Sequence, residues 1–413
     1  MTAVHSRPLR IGIITNGLEE RRSNGAAQIA NGGVGVYIYH LVKELQAIDA
    51  TNQYFLIRYG RGELDIYHSG RSRDVFLRGS RFSATANLLD LPYRRLAAEL
   101  QLDLIHYPNQ FGGAGLPRPV KRVVTLHDIT PLLFPHFHPW RRVVGYRIFL
   151  RRALRAADHV IVDASHTAED LVARGFAARD RIGVIPLGVA ARFRPGVQTA
   201  AFRSRFDLPD RFILSVGVLE PRKNHALLVN ALQRLHDCGE RVGLVIVGRD
   251  GWSWKAPLDA NGSSGLRPYV RVLRNVSDAD LVELYNRAEV FAYPSLYEGF
   301  GLPLLEAMAC GTPVVAARTS SLPEVAGAAA LLAAPHDGQE FADHLLAVLR
   351  GPALRERLVA DGLRRAAEFS WRRTAERTLA VYERVCAGSL DAATAPRPRP
   401  AEPAAADAST GGA

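Results

Sequence analysis

The stretch PSLYEGFGLPLLEAMACGTPVVAA, Pro294–Ala317, decides how the rest of the chain is read. Val290 to Tyr293 closes an apolar run just before it. Glu298-Gly299-Phe300-Gly301 follows as a loop whose glycines permit a tight path. Pro303 suits the first turn of a helix, where its missing N–H would be unpaired in any case. Gly311 suits the helix stop, Thr312-Pro313 prevents continuation, and Val314 to Ala317 is a short buried strand. Strand, loop, helix, strand is the repeating unit of a parallel sheet covered by helices.

The chemistry of the same stretch is more specific than its shape. The start of the predicted helix, near Gly301 and Leu302, presents free backbone N–H groups that attract anions, phosphate above all. Two carboxylates flank that place, Glu298 in the loop and Glu306 one turn into the helix. Carboxylates do not bind phosphate; they accept hydrogen bonds from hydroxyls, in pairs when the hydroxyls are vicinal. A ligand with phosphate in the middle and a sugar at each end meets every condition, and a sugar nucleotide is one. An ordinary strand–loop–helix unit explains the glycines and Pro303 but not the two acids.

The bulk numbers fit a soluble globular protein of ordinary size. At 413 residues, 47% apolar and 23% charged, the chain suits two soluble globular domains. Met1–Leu18 lacks the apolar run of a secretory signal, and no stretch approaches the length of a membrane helix. Cys238, Cys310 and Cys386 have no metal-ligand spacing, so a reducing cytoplasmic compartment is expected. The net charge of +11 is scattered rather than gathered into a stripe, which argues against a nucleic-acid partner. Arg141-Arg142 and Arg147 to Arg155 flank Trp140, Val143, Val144, Tyr146, Ile148, Phe149 and Leu150. That segment reads equally as a solvated helix face and as an amphipathic helix for an anionic membrane surface, peripheral at the inner face of the plasma membrane.

In chain order, Leu9 to Thr15 is a first buried strand and Glu19 to Ile29 a mobile loop. Asn31 to Tyr37 (NGGVGVY) opens a helix to about Ile48, and Gly33 and Gly35 at its start let backbone approach a diphosphate. The interval between strand and glycines exceeds that of a dinucleotide fingerprint, which counts against NAD. Tyr54 to Arg58 and Asp103 to Tyr107 are strands, Tyr93 to Leu100 is helical, and Arg58 to Arg81 is polar and irregular. Val123 to Leu126 ends in His127-Asp128, where a histidine faces the cleft and the aspartate is either a site residue or a turn residue. Ser165 with Glu169 reads as a helix cap. Phe212 to Val218 is a strand followed by Arg222-Lys223, two adjacent cations suited to a diphosphate in a chain with only four lysines (Lys43, Lys121, Lys223, Lys255). Ser389 to Ala413 is rich in Ala, Pro and Gly and is expected to be disordered.

Three runs, E-G-F-G-L-P-x-L-E-A-M-A-x-G-x-P-V-V, L-E-P-R-K-N and T-L-H-D-x-x-P-L-x-x-P, resemble the retaining glycosyltransferases of the GT-B fold, glycosyltransferase family 4 in particular, over about Leu9 to Cys386. The resemblance implies an α/β fold class with two facing Rossmann-like doubly wound domains and a cleft between them. Its domains would be residues 1–190 on the acceptor side, 191–370 on the nucleotide-sugar side, a crossing helix 371–388 and a tail 389–413. It places Gly33 and Gly35 over the donor phosphates, Arg222 and Lys223 as the diphosphate clamp, and Asn275 and Val276 beside the base. Glu306 would hold the ribose and Glu298 the sugar hydroxyls, with Gly299, Phe300, Gly301 and Leu302 binding the donor, the helix terminus near Gly301 aiding the diphosphate, and His127 touching the transferred sugar from the far side.

The catalytic set implied is His127, Glu298, Arg222 and Lys223, with no cofactor and no metal, the two cations replacing a divalent ion. Attack would be front-face, the departing phosphate taking the acceptor's proton, with no covalent bond to Glu298. The wording resembles bacterial mannosyltransferases most, so GDP-mannose is the expected donor and a glycan or lipid-linked precursor the acceptor. Sugar-nucleotide epimerases and phosphorylases share the architecture, and a non-catalytic sugar-nucleotide or membrane-surface binder could keep it without turnover. Glu298→Ala and Lys223→Ala are expected to cut turnover and leave folding intact.

Overall fold

The computed structural model describes residues 7–388 apart from 17, 19, 24–25, 30–31, 60–70, 78–90, 110–114, 197–201, 203–205 and 252–263. The 389–413 tail and part of the 58–81 segment therefore lie outside the described residues.

Short runs of Val, Ile and Leu, buried on both faces, form the strands. The first lobe contains β1 (Arg10–Ile14), β4 (Gln53–Tyr59), β5 (Ser72–Leu77), β6 (Leu104–Tyr107), β7 (Lys121–Leu126), β8 (His159–Val162) and β9 (Ile182–Val184). They form one sheet in the order β5-β4-β1-β6-β7-β8-β9. The second lobe contains β10 (Phe212–Val216), β11 (Gly243–Val247), β12 (Val270–Leu273), β13 (Val290–Tyr293), β14 (Val314–Ala317) and β15 (Ala330–Ala333), in the order β12-β11-β10-β13-β14-β15. Every pairing in both sheets is parallel. Counted within each lobe, the third, second, first and fourth strands lie side by side, the doubly wound Rossmann order. The order in which strands are added reverses between β1 and β6 in one sheet and between β10 and β13 in the other, and ligands bind in such crevices beyond the strands' carboxyl ends.

Two local expectations fail. Glu19 to Ile29 is no simple loop: β2 (Glu20–Ser23) and β3 (Ala26–Ile29) pair antiparallel. The missed signal is Asn24-Gly25, the dipeptide that most strongly favours a two-residue hairpin connection. Within the irregular-looking 58–81 segment, Ser72–Leu77 is strand β5. It reads as polar because it is an edge strand with one neighbour, and Arg58 on β4 reaches Asp74 on it at 3.1 Å.

The lobes are joined by two adjacent chain crossings. Thr374 Oγ1 donates to the Pro186 carbonyl at 2.8 Å, and Val189 N–H to the Phe369 carbonyl at 3.3 Å. The last helix among the described residues, Trp371–Ala387, then lies on the first lobe, against the helix Gly32–Ile48. Trp371 stacks on His40 with ring centroids 4.8 Å apart, and Tyr382 reaches His106 on β6.

Candidate active site

The loops leaving β10 and β13, the strands at the second lobe's reversal, meet over the cleft. Pro221–Lys223 forms a single tight turn that points Arg222 and Lys223 at the loop after β13. Lys223 Nζ donates to Glu298 Oε1 at 2.6 Å and to the Tyr293 hydroxyl at 2.9 Å. Arg222 Nη1 lies 3.2 Å from Glu298 Oε2, bonds the Tyr297 carbonyl and pairs through Nη2 with Glu220. Ser295 Oγ completes the set by donating to Glu298. Two cations and two anions thus share one buried cluster, formally neutral, drawn from segments 75 residues apart.

Burial penalises every one of these charges, so their partners decide their state. Burial alone would raise the Glu298 carboxyl, but Lys223 and Arg222 outweigh it and hold it down to about 2. Arg222, also desolvated, is raised by Glu298 and Glu220. Lys223 is lowered, chiefly by burial and also by Arg222, against the pull of Glu298. The pair does not gain equally: the carboxylate sits between two cations, while the ammonium shares its one close anion with a guanidinium. Glu298 is firmly ionised.

Gly301 opens the helix Leu302–Ala309 in a left-handed conformation, φ 105°, with no side chain capping the first turn. That is the uncapped terminus the sequence implies, and a residue with a Cβ would be strained there. Glu306 lies inside this helix and, among the described residues, accepts a hydrogen bond from the Tyr285 hydroxyl at 2.9 Å. Burial lifts Glu306 to about 7, with the Tyr285 bond pulling only weakly the other way.

From the facing lobe, His127 stands at the end of β7. Its Nδ1 is 2.6 Å from Asp163 Oδ2 and its Nε2 is 3.2 Å from the Pro108 carbonyl. Asp128 serves the turn, accepting from Thr130 N at 3.1 Å and Thr130 Oγ1 at 2.8 Å. The two lobes touch here: a Cβ on Gly299 would stand 1.9 Å from the His127 carbonyl oxygen, so only glycine fits. Tyr297 donates to Asp170 at 2.7 Å, and Glu324 accepts from Ser165 N–H at 2.8 Å and Ser165 Oγ at 2.9 Å.

The structure therefore brings Arg222, Lys223, Glu298, Gly299 and His127 to one place, with Gly301, Leu302 and Glu306 continuing from the same loop. Gly33 and Gly35 are not in a loop before the helix: Gly32–Ile48 is already helical, so both lie in its first turn, Gly33 exposed and Gly35 buried. Glycine is tolerated there because the first N–H groups of a helix need no intrahelical partner. Arg249, after β11, brings Nη2 within 3.4 Å of where a Cβ on Gly32 would be. Phe300 sends its ring into the core against Phe369, leaving its backbone to line the loop. Asn275, left-handed at φ 55°, and Val276, packed against the core, follow the edge strand β12. The Ser165–Glu169 cap is absent, because Glu324 of the other lobe takes the Ser165 N–H instead.

Sequence reasoning missed Glu220, Asp163, Asp170 and Glu324. Asp163 was within reach: it follows β8 as His127 follows β7, and the same strand-end rule applies to both. Glu324 and Asp170 act across the cleft, a relation no local pattern carries.

Residues 31–193 match the family model described as Glycosyltransferase Family 4, and residues 197–365 that described as Glycosyl transferases group 1. The O-antigen chain mannosyltransferase B of Escherichia coli is 33% identical over 285 residues, 68% of this chain and 74% of the relative. A D-inositol 3-phosphate glycosyltransferase of Actinosynnema mirum is 37% identical over 256 residues, 59% of this chain and 60% of the relative. Among solved structures, a sucrose-phosphate synthase of Thermosynechococcus elongatus superposes with TM-score 0.71 at 22% identity, covering 92% of this chain and 100% of that one. Anabaena Alr3699/HepE in complex with UDP-glucose does so with TM-score 0.70 at 19% identity, covering 91% and 99%. With two doubly wound sheets meeting over one cleft and these matches across both, the chain belongs to glycosyltransferase family 4 and is a glycosyltransferase of the GT-B fold.

Proposed function

We propose that the protein is a retaining, metal-independent hexosyltransferase that moves mannose from GDP-mannose to a hydroxyl of a glycan or lipid-linked acceptor. The observation that carries the reading is the buried Glu220–Arg222–Lys223–Glu298 cluster at the β10/β13 crevice, closed over by His127. The sugar rests on the relatives' naming as mannosyltransferases.

The cluster is neutral only while Glu298 faces the two cations. A diphosphate brings negative charge that Arg222 and Lys223 can accept, and Glu298 is then released toward sugar hydroxyls. As the anomeric C–O bond breaks, charge grows on the departing phosphate, and two preorganised cations in a desolvated site stabilise it, the work a divalent ion does elsewhere. The acceptor oxygen bonds the anomeric carbon from the same face and its proton passes to the leaving phosphate. Glu298 stays a carboxylate and forms no bond. Glu306 holds the ribose, Gly33 and Gly35 sit over the phosphates, Asn275 and Val276 beside the base.

A thermal-shift panel of GDP-mannose, UDP-glucose and UDP-N-acetylglucosamine tests the donor. A ligand at about one hundred times its dissociation constant adds about 2.7 kcal/mol, or roughly 2–4 °C. A shift with GDP-mannose alone is expected, and transfer should survive a chelator. A shift confined to UDP sugars would refute the donor, and no shift would refute the site.

The second part of the reading concerns location. No helix among the described residues is long and apolar enough to cross a membrane. Trp140–Gly145, the π-helical Tyr146–Leu150 and Arg151–Ala156 run on from one another. Their inner face is Val143, Tyr146, Leu150 and Leu154; outward stand Trp140, Val144 and Ile148, exposed by 70%, 41% and 57%. Exposed Arg141, Arg147, Arg151, Arg152 and Arg155 surround that stripe. Apolar side chains ringed by arginines match an anionic bilayer surface. Co-sedimentation with phosphatidylglycerol vesicles should be lost in Trp140→Ala/Ile148→Ala; equal binding by the variant would refute the contact.

A further inference from the structure

His106 and His127, buried in the same lobe, differ in what their ring nitrogens meet. His106 Nδ1 is 2.6 Å from the Tyr382 hydroxyl and Nε2 2.7 Å from Thr125 Oγ1. Hydroxyls donate or accept as needed, so that ring can be neutral, and burial pushes it down to about 3. His127 has no such latitude. One nitrogen faces the Asp163 carboxylate and the other a backbone carbonyl, and neither atom can donate. Two acceptors on two nitrogens are satisfied only if both nitrogens carry hydrogen.

The arrangement is built by the sheet. Pro108 follows β6, His127 follows β7 and Asp163 follows β8, three neighbouring strands, so the ring is held by the strand ends on either side. Tyr37 sets its ring edge-on to the imidazole at 4.9 Å, and its hydroxyl shares a hydrogen bond with Thr125 Oγ1 at 3.0 Å. Asp163 is almost fully buried, and its second oxygen, Oδ1, has no hydrogen-bond partner among the described residues.

We propose that Asp163 is a positioning residue that keeps His127 an imidazolium throughout turnover, so that His127 donates hydrogen bonds to the bound hexose and takes no proton from the acceptor. An imidazolium has no lone pair and cannot act as a base. A sugar hydroxyl entering the cleft shares the Nε2–H with the Pro108 carbonyl, which stays beside the ring as an acceptor. The proposal rests on the retaining reading above, in which the acceptor's proton leaves on the phosphate.

The groups facing the ring agree in sign. Asp163 from β8 and Asp128 beside it favour the cation; Tyr37 is neutral and His106 neutral. Arg222 and Lys223 across the cleft are compensated by Glu220 and Glu298. Burial opposes the charge on His127, yet Asp163 raises it above the ordinary histidine value.

The test has two readouts. Nitrogen-15 NMR of histidine-labelled protein, with His127→Gln for assignment, should show both His127 nitrogens protonated at about pH 7.5, a full unit above the ordinary value of about 6.5. This reading needs no donor, so it stands apart from any failure of the proposed activity. In Asp163→Asn the ring loses its counter-charge. The ratio of variant to parent kcat/KM should then fall about tenfold per pH unit above about 6.5 and recover toward lower pH. Taking the ratio removes Glu306, which titrates in both proteins. Asp163→Glu, which keeps the charge, should restore a flat ratio and guards against a variant that fails to fold. An unprotonated nitrogen on His127 in the parent, or a ratio flat with pH in Asp163→Asn, would overturn the proposal.

Discussion

Glu298 and Glu306 sit in one loop–helix segment, the first buried and the second half-buried, and their chemistry is opposite. Glu298 meets an ammonium, a guanidinium and a hydroxyl and is ionised down to about 2. Glu306 meets a tyrosine hydroxyl and titrates at about 7. Desolvation raises both carboxyls; the number of cations within reach differs. The first carboxylate is electrostatically committed before any ligand arrives, whereas the second has capacity to spare for a hydroxyl donor and is half-protonated near neutrality. Two acids in one motif therefore have unlike tasks, and a pair of neighbours, not the motif, divides them.

The largest effect should come from breaking the Glu298 side. Removing one partner of a buried ion pair leaves the other uncompensated, at a cost of about 3–5 kcal/mol. Lys223→Met and Glu298→Gln should each melt markedly lower, which corrects the expectation that such changes leave folding untouched. Each should also lose about 10²–10³ in kcat, the usual cost of one preorganised group at a developing charge. The double variant should regain much of the stability and none of the rate. A double variant as unstable as the sum of the singles would mean that the two side chains do not act as a pair.

A smaller effect, opposite in sign for the two acids, should appear in stability against pH. The Glu298 carboxyl is lower in the folded state than the ordinary 4.5, so its stabilisation is present above that value and is lost as pH falls toward about 2. The Glu306 carboxyl is raised, so the folded chain holds an extra proton between 4.5 and about 7 and stability declines as pH rises through that window. Denaturant midpoints should show that decline, and Glu306→Gln should abolish it. The same variant should keep kcat while losing the pH dependence of donor KM near 7. An unchanged neutral-side slope in Glu306→Gln would place the titrating group elsewhere.

The smallest effect belongs to the cleft contact that neither acid makes. Glu324→Gln weakens the bonds to Ser165, which are partly exposed, by about 1 kcal/mol or less. Hydrogen exchange at the start of the helix Ser165–Ala173 should quicken while the melting point hardly moves. Unaltered exchange would show that the contact does not hold the lobes together.

Much of this was legible from local pattern. Apolar runs and glycine stops gave the parallel sheets, and strand-end position marked His127, Arg222 and Lys223. What stayed hidden is relational. Nothing in L-E-P-R-K-N says that Glu220 neutralises Arg222, and nothing near Glu306 says that the Tyr285 hydroxyl is its partner. The edge strand β5 was missed because half of it faces water, and Ser165 was misread because its partner lies 159 residues away.

The helix Trp371–Ala387 carries a consequence for the order of assembly. It is made after both sheets, yet Trp371, Ala375, Val381, Tyr382 and Val385 belong to the core that contains Leu9, Ile11, Tyr37 and Leu41. The first lobe emerges from the ribosome with that flank bare and with His106 lacking its tyrosine. Lobes made early ordinarily fold as they appear. Here the first lobe lacks part of its own core until residues 371–387 are made, so a chain cut before residue 371 should damage the half that was translated earliest.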